Sequence, residues 1–333
     1  MKVFLHKSVF IVLLSQIIVF SSCAPFSKES PISTTSMKLN TIVTITIYDS
    51  TDESLLDGCL AICDQYEQLF SKTNPDSELY KLNHGLLSMD SLGYATVSPE
   101  TYQLIALGKK YANESNDAFN IALEPLTSLW NFTDNSDVVP ADSSIKQVLP
   151  YLSSDMVQLK EPNLVMLCDP KCGIDLGGIA KGYIADRIKD YLVKNGVQSA
   201  LINLGGNVLC IGQMKDRPFS IGIKRPFSTA DDSMTTISVT DCSVVSSGVY
   251  ERYFEKDGIL YHHLLNSKTG YPIQNGLLGV TIVAPLSVDA DALSTTCFAL
   301  GLEQGMKYIK TQKNTRAIFI TDDYVLHDSQ DTP

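Results

Sequence analysis

The sequence predicts an α+β fold, and three observations carry that expectation. Runs of β-branched residues and amphipathic runs of helical period share the chain without strict β-α alternation, so a doubly wound parallel sheet does not fit. The chain is 44% hydrophobic and 19% charged over 333 residues, enough to bury a large core in one big domain or two. Its 20 Gly and 14 Pro are too few for a collagen-like or low-complexity chain. No internal repeat is visible.

The elements follow in order. Residues 1–22 read as a lipoprotein signal peptide. Lys2 and Lys7 give a positive start, and the apolar run from Val9 to Phe20 is broken only by Ser15 and Gln16. That run is shorter than the ~20 residues a spanning helix needs. Ser21-Ser22 before Cys23 read as a lipobox, with Cys23 the lipidated first residue of the mature chain. This predicts an extracytoplasmic protein, on the periplasmic side, anchored to the membrane through lipid at Cys23. Residues 23–36 are rich in Ser, Thr and Pro and read as a tether; residues 37–333 form the folded domain. No later stretch of 18 apolar residues follows.

Within the domain, residues 39–48 (LNTIVTITIY) read as a strand. Residues 53–70 read as a helix with Leu56, Cys59, Cys63 and Tyr66 on its apolar stripe. A turn-rich stretch precedes a helix over 98–113, opened by Ser98-Pro99-Glu100. Residues 127–153 read as polar and irregular. A short strand over 164–168 leads through a Gly-rich turn into a helix over 179–194, with Ile184, Ile188 and Leu192 on one face and Asn195-Gly196 at its end. Strands over 199–204 and 208–212 flank Gly205-Gly206-Asn207, a hairpin signal. Further strands fit 219–224, 235–240, 259–265 and 277–284. A helix over 288–303 and a strand over 316–320 close the pattern.

The formal charge of −11, from 26 basic and 37 acidic residues, excludes the electrostatic footprint of a nucleic-acid binder. It also repels an anionic substrate unless something local reverses the field. Apart from Cys23, seven cysteines remain, an odd number, so at least one thiol stays free within a single chain. The pairs Cys59–Cys63 and Cys168–Cys172 lack the partner spacing of a zinc site. The first pair fits a helix core; the second could form a disulfide in an oxidising compartment, and the sequence leaves that open.

Three segments carry chemistry. In Asp175-Leu176-Gly177-Gly178-Ile179-Ala180-Lys181, a strand runs through two glycines into a helix, so ligand atoms can approach the backbone and phosphate can meet free N–H groups and the Lys181 cation. The spacing is neither a Walker A loop nor G-x-G-x-x-G. On the helix from Val288, Asp291 and Thr295 lie one turn apart, and a carboxylate, a hydroxyl and a nearby carbonyl are hard oxygen ligands suited to Mg²⁺. Asp289, in the same first turn, fits a simple cap. At the end of a strand, Tyr261-His262-His263 precedes a Lys268-Thr269-Gly270 turn; only one of the two histidines can face a given site. Ser246-Ser247-Gly248 reads as a further small-residue turn.

Seven blocks, taken in order, resemble the ApbE family, the FAD:protein FMN transferases. They are YEQLFSKTNPDSELYKLN (66–83), AFNIALEPLTSLW (118–130), DLGGIAKGYIADRI (175–188), INLGGNVLCIG (202–212), SVVSSGVYERYF (243–254), YHHLLNSKTGYPI (261–273) and DADALSTTCFALG (289–301). The resemblance implies an ApbE-type, T-fold-like arrangement of mixed sheets with packed helices. It implies FAD as substrate, Mg²⁺ as cofactor, and transfer of FMN to a Thr hydroxyl of a flavin-acceptor subunit of a membrane redox complex, with release of AMP. It maps the metal site onto Asp291, Thr295 and the Gly178 carbonyl. FAD contacts map onto Ala118, Phe119, Asn120, Asp175 and Lys181, and His263 becomes the catalytic histidine beside Asp291. Many members carry Met-Gly-Thr near the first strand, where this chain has Leu39-Asn40-Thr41, which makes Asn40 a candidate flavin contact. Two other functions compete: an FAD pyrophosphatase that uses the same site and gives FMN and AMP, and a flavin-binding lipoprotein without catalysis, which would need no Asp291–Thr295 pair.

Overall fold

In the computed structural model, which describes residues 30–133, 137–229 and 232–331, the chain opens with a hairpin. The signal peptide and Cys23 lie outside the described residues. β1 (Ile32–Lys38) pairs along its whole length with β2 (Thr41–Ile47). The last residues of the stretch read as a tether are therefore strand: Ile32, Thr34 and Ser36 alternate with more exposed neighbours. β2 holds Val43, Ile45 and Ile47 in the core and leaves Ile42, Thr44 and Thr46 on the other face, the period-2 pattern of a half-buried strand.

α1 (Ser54–Phe70) buries Leu56, Cys59, Cys63, Tyr66 and Phe70 on one stripe. α2 (Glu78–Asn83) follows, then the two-residue β3 (Ala95–Thr96) and α3 (Pro99–Glu114), capped by Ser98 with Pro99 at its first position. The segment read as irregular, 127–153, holds the end of α4 (Glu124–Trp130), α5 (Asp142–Val148) and one 3₁₀ turn, with a second just after it. Their apolar faces are only a few residues long, too short for a periodic signal. β4 (Val157–Lys160) and β5 (Leu164–Leu167) form a small sheet with β3.

The remaining elements build the main layer. α6 (Ala180–Lys194) precedes the hairpin of β6 (Ala200–Leu204) and β7 (Asn207–Ile211). β8 (Phe219–Lys224) and β9 (Ser233–Val239) form a separate ribbon. β10 (Ser243–Gly248) is a full strand where the sequence reads only a small-residue turn. β11 (Tyr253–Lys256) and β12 (Ile259–His262) make a second ribbon, so the strand expected over 259–265 stops at His262. β13 (Leu277–Ala284), α7 (Ser287–Ile309), β14 (Arg316–Thr321) and β15 (Leu326–Asp328) complete the chain. α7 runs beyond the expected 303 and is broken at Gly301, whose φ of 77° no helix adopts.

Eight strands form one antiparallel sheet in the order β1-β2-β6-β7-β10-β13-β14-β15. Its two faces feed two cores. Leu209, Ile211, Ala317 and Phe319 point to the helical side, where α6 and α7 lie; Cys210, Val244, Ile318 and Ile320 point to the other, closed by Phe219, Ile223, Ile237 and Val239 of the β8–β9 ribbon. A third cluster, Leu126, Trp130, Ile145, Leu152, Phe254 and Leu265, joins α4 and α5 to the β11–β12 ribbon. The α+β class, with mixed sheets and packed helices, is the one expected. Cys168 and Cys172 are both free thiols, so that pair forms no disulfide here. No helix among the described residues is long and apolar enough to cross a membrane.

Candidate active site

The site is built where the start of α6 crosses the start of α7. Gly182 makes the crossing possible: a Cβ there would sit 2.3 Å from the Ser287 carbonyl oxygen, a backbone atom that cannot swing away. At this distance the Gly182 N–H donates to Asp291 Oδ2 at 2.9 Å. In an unbroken helix that N–H would close onto the Gly178 carbonyl. No side chain of its own segment caps α6, so Asp291, carried by α7, takes that place. Asp291 is only 4% exposed.

Thr295, one turn on, lies against the same glycine turn: a Cβ on Gly178 would stand 3.6 Å from Thr295 Oγ1 and 3.2 Å from the Phe119 ring. The hydroxyls around it have one proton each. Ser294 Oγ donates to the Asp291 carbonyl at 2.8 Å. Ser247 Oγ, 2.8 Å from Ser294 Oγ, therefore donates to it, and Thr295 Oγ1, 3.2 Å from Ser247 Oγ, donates to Ser247. Thr295 thus keeps its lone pairs. Together with the second Asp291 oxygen and the Gly178 carbonyl, they make a set of hard oxygen donors that fits Mg²⁺ by chemistry and by what each donor has left unspent. Among the described residues no cluster of three His, Cys, Asp or Glu offers an alternative metal centre.

Asp175 holds the turn from the other side. Its Oδ1 accepts from the Gly177 N–H at 2.8 Å. Its Oδ2 accepts from the Thr127 hydroxyl at 2.7 Å and pairs with Lys72 Nζ at 3.0 Å. Burial would raise its pKa, but Lys72, Thr127 and the Gly177 N–H outweigh burial and hold the carboxyl below the usual carboxylate range. Both oxygens are engaged by the fold, so Asp175 braces the turn, while Oδ1, with one bond, keeps a lone pair. Asn120 is committed in the same way: its amide donates to the Leu152 carbonyl and accepts from the Ala122 N–H at 2.7 Å. Ala118 and Phe119 hang from Ser115, whose carbonyl and hydroxyl accept their N–H groups at 3.2 and 3.0 Å. Phe119 stands edge-on to Tyr111, and the Tyr111 hydroxyl donates to Asp289 Oδ1 at 2.7 Å, so Asp289 ties α7 to α3.

The two histidines divide as strand alternation requires. His262 is buried; its Nδ1 accepts from the Leu264 N–H and its Nε2 donates to the Ile273 carbonyl at 3.0 Å. His263 is half-buried, and its Nδ1 lies 3.3 Å from the Arg252 carbonyl. A carbonyl only accepts, so the proton sits on Nδ1 and Nε2 presents a lone pair. Burial pushes the His263 pKa down to about 3, with help from the charges of Arg252 and Lys181. Lys181 therefore lies within electrostatic reach of His263 while its Nζ donates to the Gly177 carbonyl at 3.3 Å. Asn40 is exposed in the β1–β2 turn with φ 54°. Strand registers put that turn at the same sheet end as Gly205-Gly206 and Ser247, but no hydrogen bond joins Asn40 to the other candidates.

The fold thus brings Gly178, Asp291, Thr295 and Phe119 together, with Lys181 at the same helix start and His263 within electrostatic reach of Lys181. Lys72, Thr127 and Ser247 belong to this arrangement and escaped the reading of the sequence. Ser247 lies in a run of small residues that hides a strand. Lys72 and Thr127 carry no local mark of partners so far along the chain.

The ApbE family profile matches residues 39–319. An FAD:protein FMN transferase of Klebsiella pneumoniae (strain 342) is 38% identical over 82% of this chain and 84% of its own length. One from Treponema pallidum (strain Nichols) is 32% identical over 91% of this chain and 88% of its own. The crystal structure of the ApbE protein from Thermotoga maritima MSB8 superposes with a TM-score of 0.80 at 30% identity, covering 90% of this chain and 96% of that one.

Proposed function

The chain belongs to the ApbE family, and from that premise we propose that it is an FAD:protein FMN transferase. It moves FMN from FAD to a Thr hydroxyl of an acceptor protein and releases AMP. The observation that carries the reading is the convergence of unspent oxygen donors at Asp291, Thr295 and Gly178, with a neutral His263 within electrostatic reach of Lys181. These three residues would hold Mg²⁺, which when bound supplies a Lewis acid and a charge clamp for a pyrophosphate. Lys181 and the start of α6, whose Gly182 N–H alone is taken by Asp291, add positive potential where charge grows on phosphate oxygens. The His263 Nε2 lone pair accepts the hydrogen bond of the incoming hydroxyl, as the orienter of that hydroxyl or the base that takes its proton. A new P–O bond forms to the Thr oxygen as the bond to the AMP phosphate breaks. Phe119 supplies an apolar wall beside the glycine turn.

The acceptor is read as an extracytoplasmic subunit of a membrane redox complex, because the signal in residues 1–22 and the lipid anchor at Cys23 would put both proteins on one membrane face. The test is the dependence of AMP release on acceptor. Release of AMP only when a Thr-bearing acceptor is present supports transfer. Sustained FMN and AMP release without acceptor makes water the nucleophile and the protein a pyrophosphatase.

A further inference from the structure

We propose that Lys72 is a positioning residue of this site: acting through Asp175, it fixes the Gly177–Gly178 turn that offers the Gly178 carbonyl to Mg²⁺. The proposal rests on the magnesium reading above and adds to it a residue that makes no contact of its own with metal or substrate.

Lys72 is delivered from far along the chain. It follows the end of α1, and the last turn of α1 is locked on α6 by rings: Tyr66 and Phe70 meet Tyr183 edge-on at 5.6 and 5.7 Å. Tyr183 lies in the first turn of α6, two residues past Lys181. One face of α6 thus sets the height of Lys72 while the other receives Asp291. From that position Lys72 Nζ donates to Thr127 Oγ1 and pairs with Asp175 Oδ2 at 3.0 Å. Thr127 passes its own proton to the same oxygen. The opposite oxygen of Asp175 takes the Gly177 N–H, and Gly178 is the next residue.

The pair is not an ordinary surface ion pair. The Lys72 and Asp175 side chains are 23% and 17% exposed, so solvent screens them little, and removing one partner leaves a shielded charge uncompensated. Without Lys72, Asp175 sheds part of its hold on the turn, because burial then favours the protonated carboxyl, which accepts more weakly from Gly177. Gly177 and Gly178 have no side chains to resist, and the turn then relies on the backbone bonds to Leu176 and Ile121, the Lys181 contact and an Asp175 held by Thr127 alone. Outer partners of metal ligands typically cost ~10–100-fold in metal affinity when lost.

The experiment is calorimetric titration of MgCl₂ into the FAD-loaded protein, for the wild type, Lys72→Met, Lys72→Arg and Thr127→Val, alongside transfer rates at rising Mg²⁺. The proposal expects Lys72→Met to bind Mg²⁺ ~10–100-fold more weakly. Its transfer rate should recover at high Mg²⁺, which a general loss of structure would not allow. Lys72→Arg should regain part of the affinity. Unchanged Mg²⁺ affinity in Lys72→Met overturns the proposal and leaves the magnesium reading standing. A wild type that takes up no Mg²⁺ overturns both. If Lys72→Met does not fold, Thr127→Val, which removes one bond to Asp175 and no charge, decides: weaker Mg²⁺ binding supports the proposal and wild-type binding overturns it.

Discussion

Asp186 on α6 and Asp291 on α7 cap each other's helices. Asp186 accepts from the Ser287 and Val288 N–H groups at 2.9 Å each, and Asp291 accepts from the Gly182 N–H at 2.9 Å. Neither helix start has a side-chain cap of its own. Each carboxylate sits at the positive end of the other helix, so the crossing is held by two charge-assisted contacts over a glycine that lets the backbones touch. The two acids differ in what remains. Asp186 spends both oxygens on the cap, whereas Asp291 spends one and keeps the other, with Thr295 one turn further along the same helix.

Asp291→Asn keeps an oxygen for Gly182 and removes the charge. The expected outcome is a folded protein whose Mg²⁺-dependent transfer falls by more than the ~10–100-fold that loss of an outer partner costs. Asp291→Ala should in addition lose ~1–2 kcal/mol of stability, because a buried N–H goes unpaired. Denaturant unfolding and a transfer assay on both variants check this; full transfer by Asp291→Asn would remove Asp291 from the metal site.

His263 is neutral across the working range, because burial holds its pKa down to about 3. The rate of transfer should therefore show no acid limb near pH 6.5, where an ordinary histidine titrates. His263→Ala should lower the rate by ~10²–10⁴ with FAD affinity little changed. A rate that halves near pH 6.5 in the wild type and loses that step in the variant would contradict the neutral assignment. A fall in FAD affinity alone would make His263 a binding residue.

Asp186 makes a prediction about stability rather than rate. Burial raises its pKa from 3.8 to about 6, against the two N–H groups that favour the anion. Between these values the folded state holds more protons than the unfolded one, so this residue's contribution falls as pH rises through about 6. The stability of the wild type relative to Asp186→Asn should thus shrink from pH 4 to pH 7, by at most ~3 kcal/mol. Urea unfolding at several pH values measures it; a difference that grows over that range would show the carboxyl titrating below 3.8.

The elements with long periodic faces were legible in the sequence, and those defined by partners were not. α1 announced itself through Leu56, Cys59, Cys63 and Tyr66, and α3 through Ser98-Pro99. β10 did not, because Ser246, Ser247 and Gly248 carry turn chemistry and become strand only between β7 and β13. α4 and α5 are seven residues each, and their faces exist only against Phe254 and Leu265. The same division runs through the site. Asp291 and Thr295 could be paired from helical spacing, and Gly178 could be singled out from the glycine turn. What Asp175 and Asn120 do could not be read locally. Their side chains are spent on Lys72, Thr127, Leu152 and Ala122, and three-dimensional packing alone decides that.

The most direct measurement mixes the protein with FAD and a Thr-bearing acceptor and reads flavin fluorescence on the acceptor band after denaturing electrophoresis. The account predicts a fluorescent acceptor with Mg²⁺, lost on adding EDTA, lost in Asp291→Asn, and lost when the acceptor Thr is replaced by Ala. An acceptor that stays dark while FMN and AMP accumulate, or one labelled equally well in EDTA, would contradict it.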